Sequence, residues 1–216
     1  MAYGFKVVIR GDRACFSRPE LKVERVSYEV ITPSAARGIL EAIAWKPAIK
    51  YIIDEIAVCA PIRFENIRRN EVGFKVSSME PRFVTDDRQQ RAALILKDVC
   101  YVVTAHFDMT DKAGIADNES KFTEMIRRRI IKGQSFHAPY LGTREFPALV
   151  SLVESEDTAP TPIDETRTLG LMLYDIEYVI ENTVNDAELV KEFKPTFFVA
   201  DMKKGIIDLR NVEVLR

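Results

Sequence analysis

Along this chain the spacing of apolar positions switches between strand-like and helix-like periods. Tyr3 to Arg10 is dense in aromatic and β-branched residues and stops at Gly11-Asp12, a turn signal, which predicts a first strand. A short strand is predicted at Ser27 to Ile31. Thr32-Pro33-Ser34 supplies an N-cap with proline at the first helical position, and Ala36, Ile39, Leu40 and Ile43 recur at helical spacing. Pro47 stops that helix just after Trp45-Lys46. Ile49 to Pro61 is a long β-branched run and reads as a second strand. Arg63 to Ser78 and Ala92 to Leu96 flank a polar turn, Asp86 to Gln90, and predict an inserted hairpin. Asp98 to Met109 reads as a third core strand beside the second.

Asn118 to Lys132 reads as a second helix. Asn118 caps it, Phe122, Met125, Ile126 and Ile130 form its apolar side, and Gly133 stops it. Glu145 to Glu154 supplies a fourth core strand. The order is β-α-β-β-α-β, an α+β pattern of the ferredoxin-like, or RRM-like, kind. Further strands at Leu169 to Ile180, Thr196 to Ala200 and Ile206 to Val214 predict a small β-rich extension. The expected organisation is therefore an RRM-like domain over residues 1–154, with its hairpin at about 63–96, and an extension over 155–216.

Composition narrows the class. With 47% hydrophobic and 30% charged residues in 216, the chain reads as a soluble globular protein with a real core, and disordered and fibrous readings drop out. No apolar run approaches the roughly 18–20 residues of a membrane helix, and Met1 to Lys6 lacks a signal core, so a cytoplasmic protein with no membrane partner is expected. Cys15, Cys59 and Cys100 are an odd number with no close pair, which argues against a disulfide framework and a zinc site. Cys59 and Cys100 sit in apolar runs and read as small core residues. There is no Walker loop, dinucleotide fingerprint, zinc-protease helix motif or nucleophile elbow. Asp86-Asp87 reads as a solvated turn, so neither metal nor cofactor is expected.

A net charge of −2 argues against nucleic acid only until it is resolved by segment. Glu154 to Lys194 is strongly acidic, with Arg167, Lys191 and Lys194 as its only strong bases. Lys121, Arg127, Arg128, Arg129, Lys132 and Arg144, in contrast, face the single acid Glu124. At about 100° per residue, Lys121, Arg128 and Lys132 share one azimuth and make a basic stripe suited to successive phosphates. Lys121 falls in the first helical turn, where the helix dipole disfavours a cation, and a phosphate held at that N-terminus would account for it. The loop from Gly133 to Gly142 carries His137 with Phe136 and Tyr140. Beside a basic helix, His137 and Tyr140 become candidate proton-transfer groups. His106, inside a strand, reads as structural.

Three short motifs occur in order: Ala42 to Ile49 (A-I-A-W-K-P-A-I), Asn118 to Lys121 (N-E-S-K) and Tyr140 to Pro147 (Y-L-G-T-R-E-F-P). Over essentially the whole chain the sequence resembles the CRISPR-associated Cas-five family of the Dvulg, or type I-C, lineage, which belongs to the RAMP superfamily of RRM-like proteins. The resemblance implies a metal-independent endoribonuclease that cuts CRISPR repeat RNA beside a stem-loop. It also implies that the protein stays bound to the guide among the other subunits of the type I-C interference complex. The implied catalytic set is a tyrosine before the W-K-P motif, a lysine, and a histidine directly after that lysine. Lys121 matches the lysine, but the other two positions are Ala44 and Phe122, and neither side chain can transfer a proton. Either His137, Tyr140 or Tyr3 takes over, or the chain is a non-catalytic scaffold that grips the guide's 5′ handle. Arg127, Arg128, Arg129, Lys132, Arg144, Lys46 and Trp45 are the expected RNA contacts. Such a stripe reads only backbone charge, so duplex DNA stays open as a further partner.

Overall fold

Val7 and Ile9 on one strand, Ile53 and Ile56 on a second and Val103 and Ala105 on a third alternate into one core. That alternation builds a seven-stranded sheet in the chain's computed structural model, which describes residues 4–21, 23–73, 83, 85, 87–182 and 188–216. Tyr3 and Asp86 lie outside the described residues. The elements are β1 (Phe5–Ala14), β2 (Arg25–Val26), α1 (Pro33–Ile43), β3 (Ile49–Val58), β4 (Phe64–Val72), β5 (Arg88–Met109), α2 (Glu119–Ile131), β6 (Leu149–Leu152), β7 (Arg167–Asn182), β8 (Glu188–Met202) and β9 (Ile206–Asp208). The main sheet runs β6-β1-β5-β3-β9, with β2 and β4 also paired to β5. Its pairings are antiparallel except for the short contact of β2 with β5.

Both helices lay an apolar stripe on this core. α1 buries Ala36, Ile39, Leu40 and Ile43, and α2 buries Phe122, Ile126 and Ile130. Each large aliphatic side chain buried in this way contributes about 1.5–3 kcal/mol, so the stripes, more than helix propensity, fix the helices on the sheet. The caps match the sequence: the Thr32 hydroxyl accepts from Ala35 N, and the Asn118 side chain from Lys121 N. Strands β7 and β8 form a two-stranded sheet of their own, yet Met172, Leu173, Phe198 and Met202 pack into the same core. Arg37 of α1 ties this ribbon down through Asp175 at 2.6 Å. Among the described residues, no helix is long and apolar enough to cross a membrane.

Several boundaries differ from expectation, each for a tertiary reason. β1 runs through Gly11-Asp12 and on to Ala14, because Arg13 and Ala14 still pair with Lys97 and Leu96 of β5. Gly11 serves close packing here: a Cβ there would stand 2.3 Å from Leu141 Cδ1. The expected strand at Ser27 to Ile31 is reduced to β2 just before it. Gln89 and Gln90 pair with Glu71 and Asn70, so the supposed turn is already strand, and β5 runs unbroken for 22 residues with Asp98 at a φ of 51°. α1 ends at Ile43 before Trp45-Lys46, and β3 ends at Val58 before Pro61. The fourth strand shrinks to Leu149–Leu152, because residues 145–148 fold back on the preceding loop: Leu141 N donates to Phe146 O at 2.7 Å and Ala148 N to Pro139 O at 2.9 Å. In the tail, β7 and β8 are longer and β9 shorter than expected.

Candidate RNA-processing site

The last turn of α1 is the anchor. A helix C-terminus leaves carbonyls without intrahelical partners, and three successive ones are claimed here by three different elements. Ala42 O accepts from Phe136 N at 2.8 Å and His137 N at 3.2 Å, which docks the glycine-framed loop. Ile43 O accepts from Arg129 Nη1 at 2.8 Å, which docks α2. Ala44 O accepts from the buried Tyr51 hydroxyl at 2.6 Å, and burial with the charge of Glu41 pushes that hydroxyl above the ordinary tyrosine range. The far end of the loop is stapled too, by Cys15 N donating to Leu141 O at 3.0 Å. Gly142 is required at that staple: its φ is 82°, and a Cβ would meet Cys15 O at 2.0 Å.

On this frame the loop presents its rings outward. Phe136 and His137 are exposed, Tyr140 is half-buried, and His137 lies near-parallel to Tyr140 with centroids 6.4 Å apart at 26°. Trp45 follows the α1 C-cap and is 55% exposed, so its face is open to stacking. Lys46, Arg127, Arg128, Lys132 and Arg144 are exposed, and none is held in an ion pair among the described residues. Lys121 and Arg128 line one open hollow of about 590 Å³ together with Glu124 and Met125, as the shared azimuth requires.

Lys121 has an internal partner that the sequence reading overlooked. Its Nζ lies 2.8 Å from Asp117 Oδ1, and Asp117 Oδ2 accepts from Gly114 N at 3.0 Å. The isolated fold therefore does gain from a lysine in the first turn, because Asp117 sits at the same pole and offsets the dipole. The Lys121 ammonium, the Gly114 N–H and the nearby charge of Lys46 hold the Asp117 carboxyl below its usual range. Asp117 thus holds the Lys121 ammonium at the N-terminus of α2. The i, i+4 spacing of Asp117 and Lys121 was the signal that would have found it.

Two other expectations change, at Arg129 and at the two sheet cysteines. Arg129, expected as an RNA contact, instead caps α1, so its guanidinium is committed to structure. Ala44 is fully buried and Phe122 is 3% exposed with its ring edge-on to Phe107, so both positions belong to the core. Cys59 and Cys100 are half-buried on the sheet face away from the helices, beside Val8, Ala57 and Val102, and not inside the main core. His106 pairs through Nδ1 with the buried Asp54 at 2.9 Å, a contact within the sheet.

Comparison with known proteins decides the family. The model of the CRISPR-associated protein (Cas5) family matches residues 4–210. The chain belongs to the Cas5 family. Among its Cas5 relatives, the CRISPR pre-crRNA endoribonuclease Cas5d of Mannheimia succiniciproducens is 50% identical over 226 residues, covering 97% of this chain and 96% of that protein. The enzyme of the same name from Thermus thermophilus is 49% identical over 213 residues, covering 94% and 90%. Among solved structures, one described as a CRISPR-associated protein superposes with a TM-score of 0.69 at 25% identity, covering 96% of this chain and 92% of that one. This Cas5 chain thus shares its mixed α/β architecture, an antiparallel sheet with two helices, with a solved relative.

Proposed function

We propose that this Cas5 protein is a CRISPR pre-crRNA endoribonuclease that cuts repeat RNA without a metal and then stays on the guide within a type I-C interference complex. The observation that carries the reading is the docking of the His137 loop and the last turn of the basic helix α2 on the end of α1, directly before the W-K-P motif. The activity in the names of the two Cas5d relatives supports it. The RNA 2′-oxygen attacks the adjacent phosphorus as its proton passes to a base, and the bond from phosphorus to the 5′-oxygen breaks as an acid protonates that oxygen. A 2′,3′-cyclic phosphate and a 5′-hydroxyl result. Lys121 stabilises the phosphorane charge, His137 transfers the proton, and Tyr140 orients or assists it. Arg127, Arg128, Lys132, Arg144 and Lys46 track the backbone while Trp45 stacks on a base.

The ferredoxin-like, RRM-like reading of residues 1–154 is supported by the order β6-β1-β5-β3 with one helix in each crossover. The separate β7–β8 ribbon supports the reading of residues 155–216 as an extension. Repeat RNA with a 2′-deoxy at the scissile nucleotide resists cleavage, the native RNA is cut in EDTA, and Lys121→Ala with His137→Ala abolishes cutting. Cutting of the deoxy substrate, loss of activity in EDTA, or an unimpaired double variant overturns the reading.

The burial of Ala44 and Phe122 favours a second reading, a scaffold that holds the 5′ handle without cutting. That reading requires salt-dependent RNA binding with no cleavage by the wild type. Equal affinity for random duplex DNA would point instead to a general nucleic-acid module.

A further inference from the structure

Arg10, Cys100 and Cys59 lie in one row across three neighbouring segments of the sheet, outside the site just described. Arg10 of β1 is the register partner of Cys100 in β5. Val58 pairs with Tyr101, so Cys59 falls opposite Cys100, and Cys59 N donates to Cys100 O at 2.8 Å. Alternation puts the three side chains on the face of Val8, Val102 and Ala57, away from the helices. Arg10 Nε donates to Cys100 Sγ at 3.4 Å. Both cysteines are free and half-buried.

We propose that Cys100, activated by Arg10, and Cys59 form an oxidisable dithiol that reacts with a peroxide and closes to a disulfide between β5 and the end of β3. Facing residues in a hydrogen-bonded antiparallel pair have Cα atoms about 5.5 Å apart, inside the roughly 4.4–6.8 Å range of disulfides. Cys59 lies just past Val58, the last residue of β3, so the small closure of the Cβ atoms distorts no further pair with β5.

The two thiols have different roles. A hydrogen bond from Cys59 and the Arg10 guanidinium hold the Cys100 thiol down to about 6, which makes Cys100 the more acidic and nucleophilic of the two. Cys59 is pushed up by its bond to Cys100 and by burial, and it keeps its proton, with its Sγ 3.4 Å from Pro160 O. The Cys100 thiolate attacks one peroxide oxygen, the O–O bond breaks, and a sulfenic acid forms while hydroxide leaves and takes up a proton as water. The Cys59 sulfur then attacks the sulfenic sulfur, loses its proton and expels a second water. Two thiols lose two electrons in all, and the peroxide accepts both. Cys15, fully buried beside Ser17, is an internal control.

The test treats the intact protein with stoichiometric hydrogen peroxide at pH 7, blocks remaining thiols by alkylation after denaturation, and maps the peptides by mass. One alkylatable thiol, Cys15, remains, with a Cys59–Cys100 link that a reductant reverses. Cys59→Ser stops at a Cys100 sulfenic acid trapped by a 1,3-dione, Cys100→Ser leaves Cys59 unoxidised, and Arg10→Met slows oxidation several-fold at pH 7. Three alkylatable thiols after treatment, a link through Cys15, or an Arg10→Met variant oxidised as fast as wild type overturns the proposal. The readout uses no RNA, so it stands or falls apart from the nuclease reading.

Discussion

The cations of α2 and those around the β4–β5 hairpin are of the same types in opposite circumstances. At the hairpin, Arg13 pairs with Glu65 at 2.9 Å, Arg25 and Arg91 reach Glu71 at 3.5 and 3.6 Å, and Arg69 pairs with Glu145. On α2, Arg127, Arg128 and Lys132 project into solvent with no ion pair among the described residues. Paired side chains of this kind each contribute at most about 1 kcal/mol and have little charge left for a ligand. Unpaired ones at the end of α2 gain only a small helix-dipole contribution, about 0.3–1 kcal/mol at most, and remain available to phosphate. Counting arginines therefore locates basic segments, and only the pairing tells which segment keeps its charge free for a ligand.

The largest expected effect is on binding. Replacing Arg127, Arg128 and Lys132 together by Gln lowers affinity for repeat RNA by on the order of 10- to 100-fold at moderate salt, because about three phosphate contacts are lost. Thermal unfolding of that variant matches wild type, since exposed substitutions away from special features usually stay within about 0.5 kcal/mol. A stability loss with unchanged RNA affinity would reverse the assignment.

A second test separates two neighbours on one helix. Arg129→Ala leaves Ile43 O without its donor and costs about 1–3 kcal/mol of stability by denaturant titration, whereas Arg128→Ala does not. If Arg128→Ala destabilises as much as Arg129→Ala, the division of labour fails.

The smallest effect concerns Asp117. Its carboxyl is held low in the folded protein, so its pairing stabilises above the unfolded carboxylate range and is lost as pH falls through the folded value. Asp117→Asn is accordingly slightly less stable than wild type at neutral pH, and the gap closes in acid. A gap that widens in acid would show that Lys121 is not what the carboxylate serves.

What the sequence revealed followed the range of each signal. Caps at Thr32 and Asn118 and the apolar stripes of both helices are local signals, and the structure has them where the sequence predicts. Gly11 reads as a turn signal yet lies in β1, because its smallness answers Leu141, 130 residues away in sequence. Arg129 reads as an RNA contact because it lies in the basic run beside the stripe, and only the approach of α1 commits its guanidinium to structure. The Cys59–Cys100 row depends on strand register, which no local pattern contains. Of the candidate site, Lys121 and the His137 loop stand out by residue type and spacing, while the docking of that loop and of Arg129 on the end of α1 required the tertiary fold.

The most direct test of the pairing argument is the slope of log affinity against log salt for repeat RNA. Each phosphate contact on a single strand adds about 0.7 to that slope. Replacing the free α2 cations Arg127, Arg128 and Lys132 by Gln should reduce it by about 2, while replacing the paired Arg25, Arg69 and Arg91 by Gln should leave it unchanged. A slope that falls for the hairpin variant and holds for the α2 variant would contradict the account.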